Sequence, residues 1–571
     1  MSAFGRAGFS LQPGLQHRSD VFGGRTLVRA GLQSRLGSEA KAPRGLKPAL
    51  QPSVVICGLL TLTAAFGATP DLRLIDAVKA QDETSTRALL KQRIDVNAQQ
   101  GDGSTALHFA AYFDNLPVAD LLIRAGAHVD TPNDLGSTPL HLACNNGSAA
   151  MVERLLAAKA NPNAKLLDGE TVLMTCARTA SARAVKALLV AGANAKASEP
   201  EHNQTALMWA AAESHPDVVA MLIEFGADVR ARSLSYPQTV VGEQTQRAGR
   251  EELNYTVMKG GSTPLLFAAR SGDAESAKRL LAAGADPNDS LPDGTSALVL
   301  AAQSGSRDVA LVLLDKGLLA GPADSAPPVR AGIAKGANPN DIGVGYSALH
   351  AAILRSDLSL VKALLAHGAD PNIRMTKGTP VRRNSTDYFL LAPLIGSTPY
   401  LLAAKFLEPE IMQALISGGA DVKLTMPDGA TALMLAAGMD SPTNEDRRGV
   451  NVIDFGKLEP ETKVLPAVMA ALDQGGGVNT ANNTGDTALH AAVTHRYETV
   501  IQFLADHGAD VNARNRKGVT PLGILTARRV GGEKPTASTA AGAAASGGAI
   551  TDEPASQRIA ELLRRLGAQD N

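Results

Sequence analysis

One short pattern recurs along most of this 571-residue chain and constrains its architecture more than any other feature. It begins as Ser-Thr-Ala-Leu-His at residues 104–108 and returns in related form ten times, the last at residues 519–523. Successive copies lie 33, 33, 34, 58, 33, 51, 51, 33, 56 and 33 residues apart, measured between their Thr or Ser positions. A constant period of this length indicates a repeat array, in which each unit packs against its neighbours and no single large core is needed.

The residues around each copy predict two helices joined by a turn. Thr138 is suited to N-cap a first helix, and Pro139 to its first position, where a missing N–H costs nothing. An alanine pair one turn later, such as Ala110-Ala111, is small enough for neighbouring units to approach closely. A Leu-Leu pair indicates the second helix, which Gly126 is suited to end in the left-handed region. Asp-Gly turns such as Asp102-Gly103 predict hairpin fingers between units.

The pattern resembles that of the ankyrin repeat, whose T-P-L-H-x-A signature matches Thr138–Ala143 without a gap. The resemblance covers residues 71–567. It implies an all-α repeat fold, an ankyrin α-solenoid of about eleven helix-turn-helix units with β-hairpin fingers along one edge. It also implies that a protein partner binds in the concave groove formed by the fingers and the first helices.

The repeat pattern predicts how the chain is divided. Residues 71–103 are expected to form an N-terminal capping repeat, residues 104–518 the array, and residues 519–571 a C-terminal capping repeat with an Ala/Gly/Ser-rich loop at 531–550. The long intervals locate four insertions, near residues 233–261, 318–335, 373–396 and 439–461.

The first 68 residues differ from the array. Residues 1–50 are basic, and Ser53–Ala68 is an uncharged stretch of 16 residues, shorter than the roughly 20 that cross a bilayer as a helix. We interpret it as the apolar region of a signal peptide that is cleaved near Gly67 or Ala68. Two alternatives stay open: an uncleaved membrane anchor and an organelle transit peptide. The length of the basic region also fits a true start downstream of Met1.

Two cysteines remain after such processing, Cys144 and Cys176. Both fall in the first helices of consecutive repeats and are expected to face the core. Neighbouring repeat helices pack about 8–10 Å apart, beyond comfortable disulfide reach. The sequence therefore predicts two buried free thiols.

Two insertions leave from the finger side and carry residue types that often anchor interfaces. They are residues 233–261 and 373–396, between the fourth and eighth repeats. We expect them to contribute to the partner-binding surface, although their rings could instead pin their own loops to the scaffold. The candidate partner-binding residues are Tyr236, Tyr255, Arg382, Arg383, Tyr388 and Phe389.

Motifs for catalysis or metal binding do not emerge. Four histidines occupy the His position of the repeated pattern, where Met174 and Met208 also occur. In the ankyrin family this histidine makes structural hydrogen bonds at the repeat turn, so no metal, no cofactor and no enzymatic activity are expected. These histidines are His108, His141, His350 and His490.

The remaining expectations concern partner and compartment. With 55 Lys and Arg against 56 Asp and Glu, net charge does not favour nucleic acid, and an open groove does not suit a small-molecule substrate. We expect a monomeric scaffold or inhibitor that binds a protein in the periplasm or outside the cell. It would contact a membrane only if residues 53–68 stay attached. A cytosolic adaptor with a misassigned N-terminus and a secreted effector acting on a foreign-cell protein remain alternatives.

Overall fold

A computed structural model describes residues 71–242, 253–315, 336–378, 394–439, 461–530 and 553–569. The predicted signal peptide and the insertion at 318–335 lie outside these ranges. So do most of the insertions at 373–396 and 439–461 and the predicted loop at 531–550. The described residues contain 24 helices in twelve consecutive pairs.

Each pair consists of a first helix, which carries the repeated pattern, and a second helix. The first helices are α1 (Arg73–Lys79), α3 (Ala106–Tyr112), α5 (Pro139–Asn145), α7 (Val172–Ala177), α9 (Ala206–Ala212), α11 (Pro264–Ser271), α13 (Ala297–Ser304), α15 (Ala348–Leu354), α17 (Pro399–Lys405), α19 (Ala432–Ala436), α21 (Ala488–His495) and α23 (Pro521–Val530). The second helices are α2 (Glu83–Lys91), α4 (Leu116–Arg124), α6 (Ala149–Ala157), α8 (Ala182–Val190), α10 (Pro216–Glu224), α12 (Ala274–Ala282), α14 (Arg307–Leu314), α16 (Leu358–Ala366), α18 (Pro409–Ser417), α20 (Glu461–Asp473), α22 (Glu498–Asp506) and α24 (Glu553–Arg565).

The core runs along the array between the two helix layers. First helices pack on the first helices of adjacent repeats, and second helices do the same. Leu107 and the Ala110-Ala111 pair of α3 are fully buried, as are Val118 and Leu122 of α4. The structure confirms the all-α repeat fold expected from the 33-residue period.

The predicted helix ends are also confirmed. Thr138 is the N-cap of α5, with Pro139 as its first residue. Gly126, after α4, has φ of 92°, in the left-handed region that glycine adopts at no steric cost.

Asparagine side chains connect the loops that follow the second helices. The side-chain amide of Asn163 donates to the Gly192 carbonyl oxygen, while its own oxygen accepts the backbone N–H of Asn194. Each such residue therefore joins its repeat to the next by two hydrogen bonds. We call this set the asparagine ladder; its members are Asn97, Asn163, Asn288, Asn340, Asn372, Asn479 and Asn512.

Most described fingers are tight turns, and four of them are closed by one isolated β-bridge each. The first insertion differs: it contains an antiparallel hairpin of β1 (Tyr236–Gly242) and β2 (Leu253–Lys259), in which Tyr236 pairs with Lys259. Ser233 and Ser262 pair beneath it, because the N–H of Ser233 donates to the Ser262 carbonyl. The insertion is thus a finger lengthened into a two-stranded sheet.

The prediction of two free thiols is wrong. Cys144 and Cys176 form a disulfide, with their Cα atoms 4.5 Å apart, and both are fully buried. Cys144 takes the second position of its alanine pair and Cys176 the first position of the next. These positions face each other across the repeat interface, where small side chains let the backbones approach. The axis-to-axis distance therefore overestimated the separation of the two Cα atoms.

Candidate partner-binding surface

The fingers and the exposed side of the first helices form the groove in which a partner was expected. Near its N-terminal end the groove contains a depression of about 220 Å³. Its walls combine finger residues Gln100 and Asn133 with Phe109, Tyr112 and Leu142 of the first helices. The surface is concave here because side chains of the fingers face side chains of the first helices.

An aromatic cluster lies at this end of the groove. Tyr112 and Phe113 are 54% and 37% exposed, and their rings meet edge to face with centroids 5.0 Å apart. The ammonium group of Lys79 lies 4.6 Å from the centroid of the Phe109 ring. Exposed aromatic rings beside a cation are suited to hold a protein side chain, because they bury large area at low cost in conformational entropy.

A second cluster follows two repeats further along. The hydroxyl of Thr175 donates to the buried carboxylate of Glu170 at 2.7 Å, and a guanidinium nitrogen of Arg178 lies 3.7 Å from the same oxygen. The Arg178 guanidinium carbon is 5.0 Å from the centroid of the Trp209 ring. Arg178 is thus held between a carboxylate and a ring, yet its side chain remains 34% exposed to a partner.

The four pattern histidines are structural, as the ankyrin resemblance implied. The backbone N–H of Thr105 donates to Nδ1 of His108 at 3.1 Å, and Nε2 lies 2.9 Å from the Ser137 carbonyl oxygen of the next repeat. A ring nitrogen that accepts an N–H carries no hydrogen, so the neutral ring donates from Nε2. His350 and His490 make the same bonds, whereas Nε2 of His141 has no partner in hydrogen-bonding geometry.

Burial favours the neutral form of these rings. Desolvation lowers the pKa of His141 and of His350 to about 4, and it also lowers the pKa of His108 and of His490. In two other repeats a methionine sulfur takes the place of Nδ1, since the N–H groups of Thr171 and Thr431 point at the sulfur atoms of Met174 and Met434. A titratable ring is therefore not required at this position, and Leu266, Val299 and Leu401 show that other repeats fold without any side-chain acceptor there.

The predicted contact residues fall into two groups. Tyr236 lies at the base of β1, 38% exposed, with its ring 6.3 Å from that of His202 on the preceding finger. Tyr255 lies in β2 opposite Val240. The remaining four, Arg382, Arg383, Tyr388 and Phe389, lie outside the described residues, so their role stays a prediction.

Sequence reasoning missed two of the groove residues described above. Tyr112 and Arg178 occupy equivalent positions, directly after the small-residue pair of their repeats. That position faces the groove, while the pair itself faces the neighbouring repeats. A large aromatic or cationic residue there was the available signal, because an inward-facing position would have required a small residue.

In the part of the chain that the structure describes, no group of three or more His, Cys, Asp or Glu side chains converges as a metal site would require. Among the same residues, no helix combines the length and apolar character needed to cross a membrane.

Stacked helix pairs, a buried seam of alanine pairs and fingers along one edge define an α-helical repeat solenoid. Comparison with family models narrows this class. A model for ankyrin repeats in three copies matches residues 74–166, 146–233, 250–324 and 461–528, and a single-repeat model matches residues 344–376. These matches cover more than half of the chain, which therefore belongs to the ankyrin-repeat family. Arrays of this family are protein-interaction scaffolds, as the sequence led us to expect.

Curated relatives match only in part. The chain is 29% identical over 325 residues to the ankyrin repeat and KH domain-containing protein mask-1 of Caenorhabditis elegans, which covers 54% of this chain and 11% of the relative. It is 42% identical over 113 residues to a putative ankyrin repeat-containing protein of Treponema pallidum, 19% of this chain and 32% of the relative. Against human NF-kappa-B inhibitor alpha it is 30% identical over 170 residues, 30% and 44% of the two chains. The chain thus spans less than half the length of each.

Proposed function

We propose that this chain is an exported, non-catalytic scaffold or inhibitor that binds one protein partner in the groove between its fingers and its first helices. The observation that carries the groove assignment is the row of exposed groups on the first helices. Tyr112 and Phe113 are large exposed side chains, and Arg178 stays 34% exposed although it lies beside the buried carboxylate of Glu170. Such residues are typical anchors of protein interfaces.

The Cys144–Cys176 disulfide supports export. Two of the chain's three cysteines form it, and protein disulfides persist mainly in oxidising compartments such as the periplasm or the extracellular space. The uncharged stretch at residues 53–68 supports the same compartment from the sequence side.

The absence of catalysis is part of the proposal. The buried histidines, which would be natural general bases, use their Nδ1 atoms to hold the first turns of their helices. Their lowered pKa values favour the neutral ring in that role. We also propose that the chain acts as a monomer and does not bind nucleic acid.

The groove is tested by photo-crosslinking in extract of the native host. A benzophenone amino acid replaces Tyr112 in one variant and Val190, which is 69% exposed at the end of the second helix α8, in the control variant. We expect a discrete crosslinked protein with the Tyr112 probe and none with the Val190 probe. Equal crosslinking from both positions would contradict binding in the groove.

Export is tested by mass spectrometry of the mature chain after cell fractionation, with thiol alkylation before and after reduction. We expect an N-terminus near Ala68 or Thr69, recovery outside the cytoplasm, and alkylation of Cys144 and Cys176 only after reduction and unfolding. A cytosolic chain that retains residues before Ser53 and carries two free thiols would instead establish the adaptor alternative.

A further inference from the structure

A row of exposed apolar side chains follows the finger edge of the second to fifth repeats. We call it the fingertip row, and it is separate from the aromatic cluster of the groove. Monomeric proteins expose single apolar residues routinely, but a continuous set indicates a binding surface. The row consists of Leu135, Leu167, Leu234, Tyr236 and Met258, which are 70%, 79%, 49%, 38% and 42% exposed.

The row is continuous because neighbouring fingers touch. The N–H of Leu167 donates to the carbonyl oxygen of Leu135 at 3.3 Å, and that of Leu234 to the carbonyl oxygen of His202 at 2.6 Å. Between them, a Cβ atom added to Gly169 would lie 2.3 Å from a ring carbon of Pro200. Backbone hydrogen bonds thus link the second tip to the third and the fourth to the hairpin base, while Gly169 of the third tip lies against the exposed ring of Pro200, the apolar group of the fourth tip.

The fold does not need the apolar side chain of Leu135. At the position of Leu135 other fingers carry an aspartate, such as Asp102, which accepts the N–H of Ser104 and fixes the turn. In the finger of Leu135 that task falls to Asn133, whose side chain accepts the N–H groups of Leu135 and Ser137. The leucine is thus not used to close the turn and is free to contact a partner.

Charge at the tips identifies the chemistry of that partner. The tips at residues 100–103, 133–136, 166–169, 200–203 and 291–294 carry one acidic residue each and neither Lys nor Arg. Lys165 lies just outside the tip at 166–169, and Lys259 lies in the hairpin base opposite Tyr236. The five acidic residues are Asp102, Asp134, Asp168, Glu201 and Asp293. Three of them also close their own turns by accepting the N–H two residues later, namely Asp102, Asp168 and Asp293, so Asp134 and Glu201 are the charges that this turn bond does not explain.

We propose that the fingertip row binds a basic segment of the protein partner in which lysine or arginine alternates with aliphatic side chains. The aliphatic groups would cover Leu135, Leu167 and the hairpin base, and the cations would face the acidic residues. This inference rests on the proposed scaffold function and adds a second contact surface to it. Opposite charges would raise the association rate and select against acidic partners.

The probe is a fluorescent peptide of about 14 residues with alternating lysine and leucine. At about 3.3 Å per residue it is long enough to cross four tips spaced about 10 Å apart. Binding to the full chain is measured by fluorescence anisotropy. Two companion peptides replace either every lysine by glutamate or every leucine by serine.

Three variants locate the contact. L135S/L167S removes the two most exposed leucines, D134N/E201Q removes two tip charges, and V190S is the matched control, equally exposed on a second helix. Circular dichroism verifies that each variant folds, as expected for exposed positions. We expect L135S/L167S to weaken binding about tenfold, D134N/E201Q to reduce its salt dependence, and V190S to leave it unchanged.

Several results would overturn the inference. They are no binding of the lysine-leucine peptide, equal binding of the lysine-serine or glutamate-leucine peptide, and unchanged affinity in L135S/L167S. None of these bears on crosslinking from Tyr112, so the fingertip row can fail while the groove stands. If crosslinking from Tyr112 is absent while the peptide still binds, the groove proposal fails and the fingertip row stands.

Discussion

At the scale of single residues, the same side-chain hydrogen bonds recur from repeat to repeat. A repeat in which one of these bonds is missing shows what the bond contributes to stability. Asp130 occupies a position of the asparagine ladder. Its carboxylate accepts the N–H of Asn161 at 2.7 Å, as an asparagine oxygen does, but it has no N–H to donate. Asn163 donates its second ladder bond to the carbonyl oxygen of Gly192. The carbonyl oxygen of Lys159 occupies the equivalent position opposite residue 130, where an asparagine side chain could donate to it.

We therefore expect Asp130→Asn to stabilise the array by about 1 kcal/mol, the net value of one added hydrogen bond. Asn163→Asp is the reciprocal control, and it should lower the free energy of unfolding by a similar amount. Both are measured by urea unfolding of the full chain. Stabilisation by both substitutions would show that charge, rather than the missing donor, governs this position.

The buried histidines predict a loss of stability in acid. Their folded-state pKa is lowered, so the folded chain binds fewer protons than the unfolded chain. The associated stability is complete above pH 6.5 and falls as the pH drops towards about 4, the value for His141 and His350. Each fully buried ring would contribute on the order of 2 to 3 kcal/mol across this window.

His350→Met tests the assignment, because Met174 and Met434 fill the same role elsewhere. We expect slightly lower stability at pH 7, since the Nε2 bond to Ser397 is lost, and a shallower decline between pH 6.5 and 4. Val190→Ser, at an exposed position that does not titrate, is the control and should keep the wild-type slope. An unchanged slope in His350→Met would refute the linkage.

At the scale of structural elements, the lengthened finger is a separable addition. Thr205 and Thr263 lie 58 residues apart, 25 more than the period, and residues 236–260 number 25. Removing them joins Ser235 to Gly261 and leaves Ser233 opposite Ser262, whose N–H donates to the Ser233 hydroxyl at 2.9 Å. The remaining turn has the length of the finger at residues 133–137.

Deletion of residues 236–260 should therefore leave the array folded, with the free energy of unfolding changed by less than about 1 kcal/mol. The deletion should also weaken binding of the lysine-leucine peptide, because Tyr236 and Met258 are lost from the fingertip row. Circular dichroism and anisotropy measure the two effects. A deletion variant that unfolds would show that the hairpin supports the neighbouring repeats.

The elements also show how far sequence could lead. Period, capping threonines and glycines predicted the helices because these tasks repeat in every unit. The hairpin was expected only as a loop, although the β-branched residues of Thr239-Val240-Val241 and Thr256-Val257 favour strands. Tyr112, Leu135 and Leu167 were missed because surface positions vary between repeats, so no period identifies them. The disulfide was missed because the prediction used the distance between helix axes, which is larger than the distance between the two Cα atoms.

At the scale of the whole array, the free energy of unfolding is approximately a sum of contributions from single repeats and from the interfaces between neighbouring repeats. A bond across one interface therefore stabilises mainly the two repeats that it joins. The Cys144–Cys176 bond closes a loop of 32 residues in sequence separation across one repeat interface. By chain entropy such a closure stabilises the folded state by about 3 to 4 kcal/mol. In a solenoid this contribution belongs to the repeats that the bond joins, and distant repeats gain little of it.

We expect the C144A/C176A variant to fold, because alanine is the residue that most repeats place at these positions. Hydrogen exchange followed by mass spectrometry should show faster exchange in α5 to α8 of this variant and unchanged exchange in α21 and α22. The oxidised and the reduced wild-type chain provide the matched comparison within one sequence. Faster exchange along the entire array would mean that it unfolds as one cooperative unit. Slower or unchanged exchange in α5 to α8 would mean that the disulfide does not stabilise the interface it crosses.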